Sequence, residues 1–135
     1  MFQRIGRSLG LAILLLLLPA TIMAAPVGKI SSIEGEADVT RADGKAVVVK
    51  LADSVSVGNI LRTKAKGKVE VTFLDGNIIW IAEQSRLKVT AYEHKEGQKN
   101  VFDLFRGKAR AIVNNMAKRS SLELQTPTAI CGVRG

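Results

Sequence analysis

Val69-Glu70-Val71-Thr72-Phe73, followed by Asp75-Gly76 and then Ile78 to Ala82, constrains the fold more than any other part of the chain. Val69, Val71 and Phe73 alternate with Glu70 and Thr72, so an extended segment has one apolar and one polar face. An Asp-Gly pair between two β-rich runs predicts a hairpin with a type I′ turn, in which both central residues take positive φ. Ile78-Ile79-Trp80-Ile81 is apolar at every position. That predicts a central strand covered on both faces, with Trp80 inside the core beside Phe73 and Ile78. The same design occurs upstream, where Asp43-Gly44 separates Ala37–Arg41 from Ala46–Val49.

Further short runs are Lys29–Ile33, Asn59–Thr63, Arg86–Ala91, Val101–Phe105, Ala109–Val113 and Leu122–Gln125. Gly35, Gly58, Gly67, Gly97, Gly107 or polar clusters separate most of them. Asn114–Ser120 reads as a polar loop with Met116 turned inward. No helical period is present past Ala25. The pattern predicts an all-β protein, a sandwich or jelly-roll-like stack of short antiparallel strands after an N-terminal signal helix.

The N-terminus reads as an export signal. Met1–Gly10 carries Arg4 and Arg7, Leu11–Leu18 is unbroken apolar sequence, Pro19 closes it, and Ala20–Ala25 supplies small residues. Cleavage is expected after Ala24 or Ala25, which makes residues 1–25 a signal peptide and 26–135 an all-β domain. An uncleaved anchor is the alternative. In both cases the body of the chain is expected outside the cytoplasm, periplasmic or secreted, with no stable membrane span after cleavage. No cysteine follows the apolar run, so no lipoprotein acyl anchor is expected.

Within 135 residues, 47% are apolar, enough to bury a core. One Trp, one Tyr and four Phe leave little for the serial stacking platforms of single-strand nucleic-acid binders. The net charge of +8, of which Arg4 and Arg7 belong to the leader, raises affinity for polyanions without choosing among them. One cysteine, Cys131, rules out an internal disulfide framework, and no paired Cys/His spacing suggests zinc.

Individual candidates for chemistry are sparse. His94, the one histidine, sits in the polar stretch Glu93-His94-Lys95-Glu96-Gly97 and reads as a hairpin loop. A nucleophilic triad would need a partner held beside it, and no G-x-S-x-G elbow is present. Glu34, Glu36 and Asp38 read as a solvated turn in preference to a calcium loop. Arg62, Lys64, Lys66 and Lys68 alternate, as do Arg106, Lys108 and Arg110, and each set is expected on one face of a strand or ribbon. A solvent face that discourages edge pairing is preferred there, ahead of a surface for anionic envelope polymer. Cys131 reads as a small buried residue. No catalytic residue, metal ligand or cofactor site is expected.

Four stretches together resemble the FecR domain family. Gly58-Asn59-Ile60-Leu61-Arg62-Thr63 is similar to its G-D-x-[IL]-x-T segment, and Val69–Asn77 to its alternating strand ending in D-G-S. Leu104-Phe105-Arg106-Gly107-Lys108-Ala109 is similar to its L-x-x-G-x-[AV] step. Thr126-Pro127-Thr128-Ala129-Ile130-Cys131-Gly132-Val133-Arg134-Gly135 is similar to its T-P-x-[AG]-x-x-x-V-R-G-T ending. The motif positions are therefore Gly58, Thr63, Asp75, Gly76, Gly107, Thr126, Pro127, Val133, Arg134 and Gly135, and the resemblance runs from about Val27. Asn59 stands where Asp is usual, Asn77 where Ser is usual, and Cys131 at a small apolar position. The chain is expected to be an incomplete version of the family domain, because it stops in mid-motif. The resemblance implies a non-enzymatic periplasmic module. In the best-known members that module belongs to a regulator with a cytoplasmic domain before its membrane segment. With about ten residues before this apolar run, no such cytoplasmic domain is expected here.

Two functions follow as expectations. The favoured one is a protein-interaction or signal-sensing module of the cell envelope. The alternative is an envelope-glycan-binding or adhesion module. The expected partner is an envelope protein or an anionic envelope polymer, not nucleic acid. Exposed aromatics on a groove would favour glycan, and an apolar patch or open sheet edge would favour protein.

Overall fold

A computed structural model of the protein describes residues 25–134. The expected signal helix, Ala24 and Gly135 lie outside the described residues, and Ala25 is exposed. Among the described residues there is no helix. Twelve strands run in order: β1 Pro26–Glu34, β2 Ala37–Thr40, β3 Ala46–Val48, β4 Ser54–Ser56, β5 Ile60–Thr63, β6 Lys68–Phe73, β7 Ile78–Ile81, β8 Arg86–Ala91, β9 Lys99–Arg106, β10 Ala109–Ile112, β11 Ser121–Gln125 and β12 Ile130–Arg134. They form a five-stranded sheet in the order β10-β7-β6-β1-β4 and a seven-stranded sheet in the order β12-β11-β9-β8-β5-β2-β3.

The inner faces of the two sheets share one core. Ile30, Val55, Val69, Val71, Phe73, Ile79 and Ile81 come from the first sheet; Val39, Leu61, Leu87, Val89, Phe102, Leu104 and Leu122 come from the second. Phe73 of β6 stacks on Tyr92 with ring centroids 4.2 Å apart, and Phe102 of β9 completes the cluster across the sandwich at 5.4 Å from Phe73. Strict two-residue alternation drives this packing: in β6, Val69, Val71 and Phe73 are buried while Lys68 is exposed.

The expected elements form, with four differences. β11 runs parallel to β9 (Ser121 opposite Lys99, Phe102 opposite Leu124), whereas the sequence predicts antiparallel strands only. The chain leaves β9, crosses to the other sheet as β10, and returns through 113–120. A crossover of that length can deliver the next strand in the same direction. Second, both Asp-Gly hairpins use a three-residue loop, not a type I′ turn. Gly76 N–H donates to Phe73 O at 3.0 Å and Phe73 N–H to Asn77 O at 2.8 Å. Only the glycines, Gly44 at φ 84° and Gly76 at φ 90°, take positive φ there. This is a type I turn followed by a glycine bulge, which accommodates one more residue than the two-residue loop. Third, β4 and β12 are strands that the alternation did not mark. Cys131 lies in β12 and is exposed, not buried. Met116 does pack against the core from the loop after β10.

The fourth difference concerns Trp80. It is 40% exposed, not packed in the core. β7 lies between β10 and β6, so its backbone is central. The outer face of its sheet is nevertheless open, and alternation sends Ile79 and Ile81 inward and Trp80 outward. Trp80→Ala is therefore expected to cost well under the ~3–5 kcal/mol typical of a buried aromatic truncation. Chemical denaturation that gave a loss in that upper range would return the indole to the core.

Candidate binding face

The family-motif positions form corners of the sandwich. At one corner, Thr63 at the end of β5 is buried, and its hydroxyl donates to Ala82 O at 2.6 Å while accepting from Ser85 N–H at 2.9 Å. The Ser85 hydroxyl accepts from Lys108 N–H at 3.0 Å. Gly107 closes against it: at φ 87°, a Cβ there would meet Ser85 Oγ at 2.1 Å and Ser85 Cα at 2.6 Å. Three crossings between sheets are thus fastened together by Thr63, Ser85 and Gly107.

The opposite corner is built on Asp75, Asn77 and Tyr92. The Asp75 carboxylate is almost wholly buried and accepts from the Tyr92 hydroxyl at 2.7 Å and from Asn77 N–H at 3.2 Å. The Asn77 side-chain amide donates to Tyr92 Oη at 3.0 Å and Asn115 O at 2.8 Å; its oxygen accepts from the N–H groups of Asn114 and Asn115, both at 2.8 Å. Burial first, and then the hydrogen bond to Asp75, push the Tyr92 phenol above its usual range, so it stays a donor to the carboxylate. His94 Nδ1 lies 3.3 Å from Asp75 Oδ2 with its ring half exposed. Among the described residues no Ser, Thr or Cys side chain bonds to that imidazole.

The other motif residues are also structural in placement. Gly58 has φ 91° in the turn before β5, where Asn59 accepts from Ser56 N–H at 2.9 Å and from Arg41 at 3.0 Å. Thr126 closes the turn into β12, with its N–H donating to Ala129 O at 2.8 Å and its hydroxyl accepting from Ala129 N–H at 3.0 Å. Pro127 lies in that turn, and Val133 and Arg134 lie in β12. Glu34 and Glu36 are exposed, whereas Asp38 pairs with Arg62 at 2.8 Å.

The basic stripes do not stay together as the sequence suggests. Arg62 belongs to β5 of the seven-stranded sheet and Lys68 to β6 of the five-stranded one. Arg62 and Lys64 are drawn to Asp38 and Glu36. Lys68, from the end of the first stripe, instead meets Lys108 and Arg110 of the second. Arg110 and Glu70 are the register neighbours of Trp80, on β10 and β6. Ala82, two residues on from Trp80, donates its N–H to Lys108 O at 2.9 Å. The result is a shallow groove of about 210 Å³ lined by Lys68, Trp80, Ala82, Lys108 and Arg110. Among the described residues, none of the three cations has an ion pair, and the Trp80 indole N–H has no acceptor. A second basic groove, at Arg62, Ser85 and Arg106, has no aromatic floor. On the seven-stranded sheet, Phe105 is exposed but covered by Arg86, 5.4 Å from its ring centroid.

The described residues form an all-β sandwich with glycines at its corners. The model of the FecR protein family matches residues 59–135, more than half of the chain, and the chain belongs to that family. The match begins immediately after Gly58, so β1–β4 lie outside it although the resemblance seen in the sequence starts near Val27. A solved cell surface anchoring domain is similar at 28% identity, over 50% of this chain and 88% of that one, with a TM-score of 0.48. Comparison with curated proteins gives no match.

Proposed function

We propose that this FecR-family domain is an exported, non-catalytic interaction module of the cell envelope. Its recognition surface is the outer face of the five-stranded sheet around Trp80. Family membership supports the envelope setting, and the basic-apolar-small order of residues 1–25 supports export. The observation that carries the surface is the exposed Trp80 flanked by three cations that have no ion pair among the described residues. A large apolar ring on a polar face, with its N–H unused, is the kind of anchor that binding surfaces employ. The non-catalytic reading rests on the use of Asp75, Tyr92 and Asn77 in fastening a corner, which leaves His94 with no nucleophile to activate.

A second reading, docking of a protein partner along the seven-stranded sheet, is favoured by its apolar edge at Val47 and Val48 in β3, joined by exposed Leu51. One experiment separates the two. The full chain should co-sediment with isolated bacterial envelopes, and Trp80→Ala should reduce the bound fraction at least fivefold while its circular dichroism stays unchanged. Undiminished binding by Trp80→Ala, with loss in Val48→Lys, would move the recognition surface to the β3 edge. No binding by the parent chain would end the envelope reading.

A further inference from the structure

We infer that the Trp80 groove is a subsite for one acidic sugar residue of an anionic glycan. This rests on the recognition surface proposed above and names its ligand. The groove of about 210 Å³ is smaller than a typical small-molecule pocket of roughly 300–1,000 Å³, so it holds one ring while the rest of the ligand runs over the surface. Trp80 is its one aromatic lining residue, and the Trp80 backbone is held between β6 and β10 by ladder pairing on both sides. An aromatic face takes the C–H side of a single sugar ring. The indole N–H is a free donor among the described residues, suited to a ring hydroxyl.

The charge pattern selects the acidic member of the class. Lys68 and Lys108 flank Ala82 at one end of the groove and Arg110 stands beside Trp80. Glu70 is in register with Trp80 on the side opposite Arg110, and Glu34 of β1 is in register with Lys68, so three cations stand against two acids there. Glu83, next along the chain, is turned away: its carboxylate accepts from Lys66 N–H at 3.2 Å. Like charges held close together repel, and a carboxylate or phosphate placed among them is attracted to all three. Arg110 adds a planar donor fork matched to those groups.

The alternatives fit less well. The core of a protein interface is depleted of charge, since desolvated cations need matched partners. Here the exposed indole has Arg110 on one side and Lys68 and Lys108 one step along the groove, and a hydrated glycan leaves those cations largely in water. Single-strand nucleic acid stacks successive bases on successive aromatics, and this face has one. Insertion into a bilayer needs apolar groups that protrude, and Trp80 belongs to an inner strand of its sheet instead of a loop.

Trp80 is the only tryptophan, so its emission reports on the groove directly. Titration of the full chain with an oligogalacturonide should give a saturable change in that emission. The neutral galactose oligomer of equal length should bind at least tenfold more weakly. The charge-reversal pair Lys108→Glu with Arg110→Glu should weaken the acidic ligand at least tenfold at 50 mM salt, with less difference at 500 mM. Anionic phospholipid vesicles and oligo-dT serve as the competing classes. Equal response to acidic and neutral oligomers would overturn the acidic assignment. Response to vesicles or oligo-dT alone would overturn the glycan. If envelope binding remains Trp80-dependent while the oligogalacturonide gives no response, this inference fails and the recognition surface stands.

Discussion

Gly107→Ala is expected to lower the melting temperature by on the order of 10 °C, since a loss of about 3 kcal/mol moves a domain of this size by several degrees per kcal/mol. Two terms add. A non-glycine residue held in the left-handed region costs about 1–2 kcal/mol, and Gly107 has φ 87°. The new methyl would also lie 2.6 Å from the backbone Cα of Ser85, which moves only with the 82–85 crossing itself. Overpacking of that kind typically costs about 1–3 kcal/mol. Gly44→Ala is the control: its φ is 84°, but nothing lies within 4 Å of the added Cβ. It should show the conformational term alone. Removing the Ser85 hydroxyl in Gly107→Ala/Ser85→Ala should recover only part of the loss, because the contact with Cα persists. Equal melting shifts for the two glycine variants would show that the Ser85 contact relaxes at no cost, and the corner argument would fall.

Asn77→Ala should destabilise by about 3 kcal/mol or more, from buried donors and acceptors left without partners at about 1–3 kcal/mol each. The side chain joins five groups from three parts of the chain, and the residue is buried. Truncation strands the N–H groups of Asn114 and Asn115 and the carbonyl of Asn115. Asn77→Ser, which restores the residue usual in the resembling motif, should recover less than half. A hydroxyl can still accept from an N–H but has one donor in place of the amide's two and is too short to span Tyr92 and Asn115 together. Urea unfolding of the three proteins gives the comparison. A serine variant as stable as the parent would mean that water or a shift of the 114–115 segment substitutes for the amide.

These expectations bear on what the motif means. Gly58, Thr63, Gly76 and Gly107 hold turns and crossings, and Asp75 is buried in a corner. The residues that make the family recognisable are thus those that make the sandwich close. Trp80, proposed to bind, is outside that pattern: the all-apolar run Ile78–Ile81 predicts a strand buried on both sides, and the open outer face of the sheet exposes the indole.

Local sequence determined the strand character, the two Asp-Gly hairpins and the apolar parity of β6, because side-chain direction in an extended chain depends only on the two-residue repeat. It also carried the family, through glycines and hydroxyls at places where a turn or crossing admits nothing larger. β4 and β12 carry little local signal: three residues around Val55 and a run interrupted by Gly132 show too little alternation. Other features depended on non-local pairing. Whether the outer face of β7 is covered turns on the arrangement of the whole five-stranded sheet, and so Ile79 and Trp80 part company although both are apolar. Lys68 and Lys108 lie 40 residues apart in sequence and meet only because β7 seats itself between β6 and β10. The parallel direction of β11 follows from a crossover whose route is fixed by which sheet receives β10. Alternation tells each side chain which way to point; only the assembled sheets decide whether it then meets core or water.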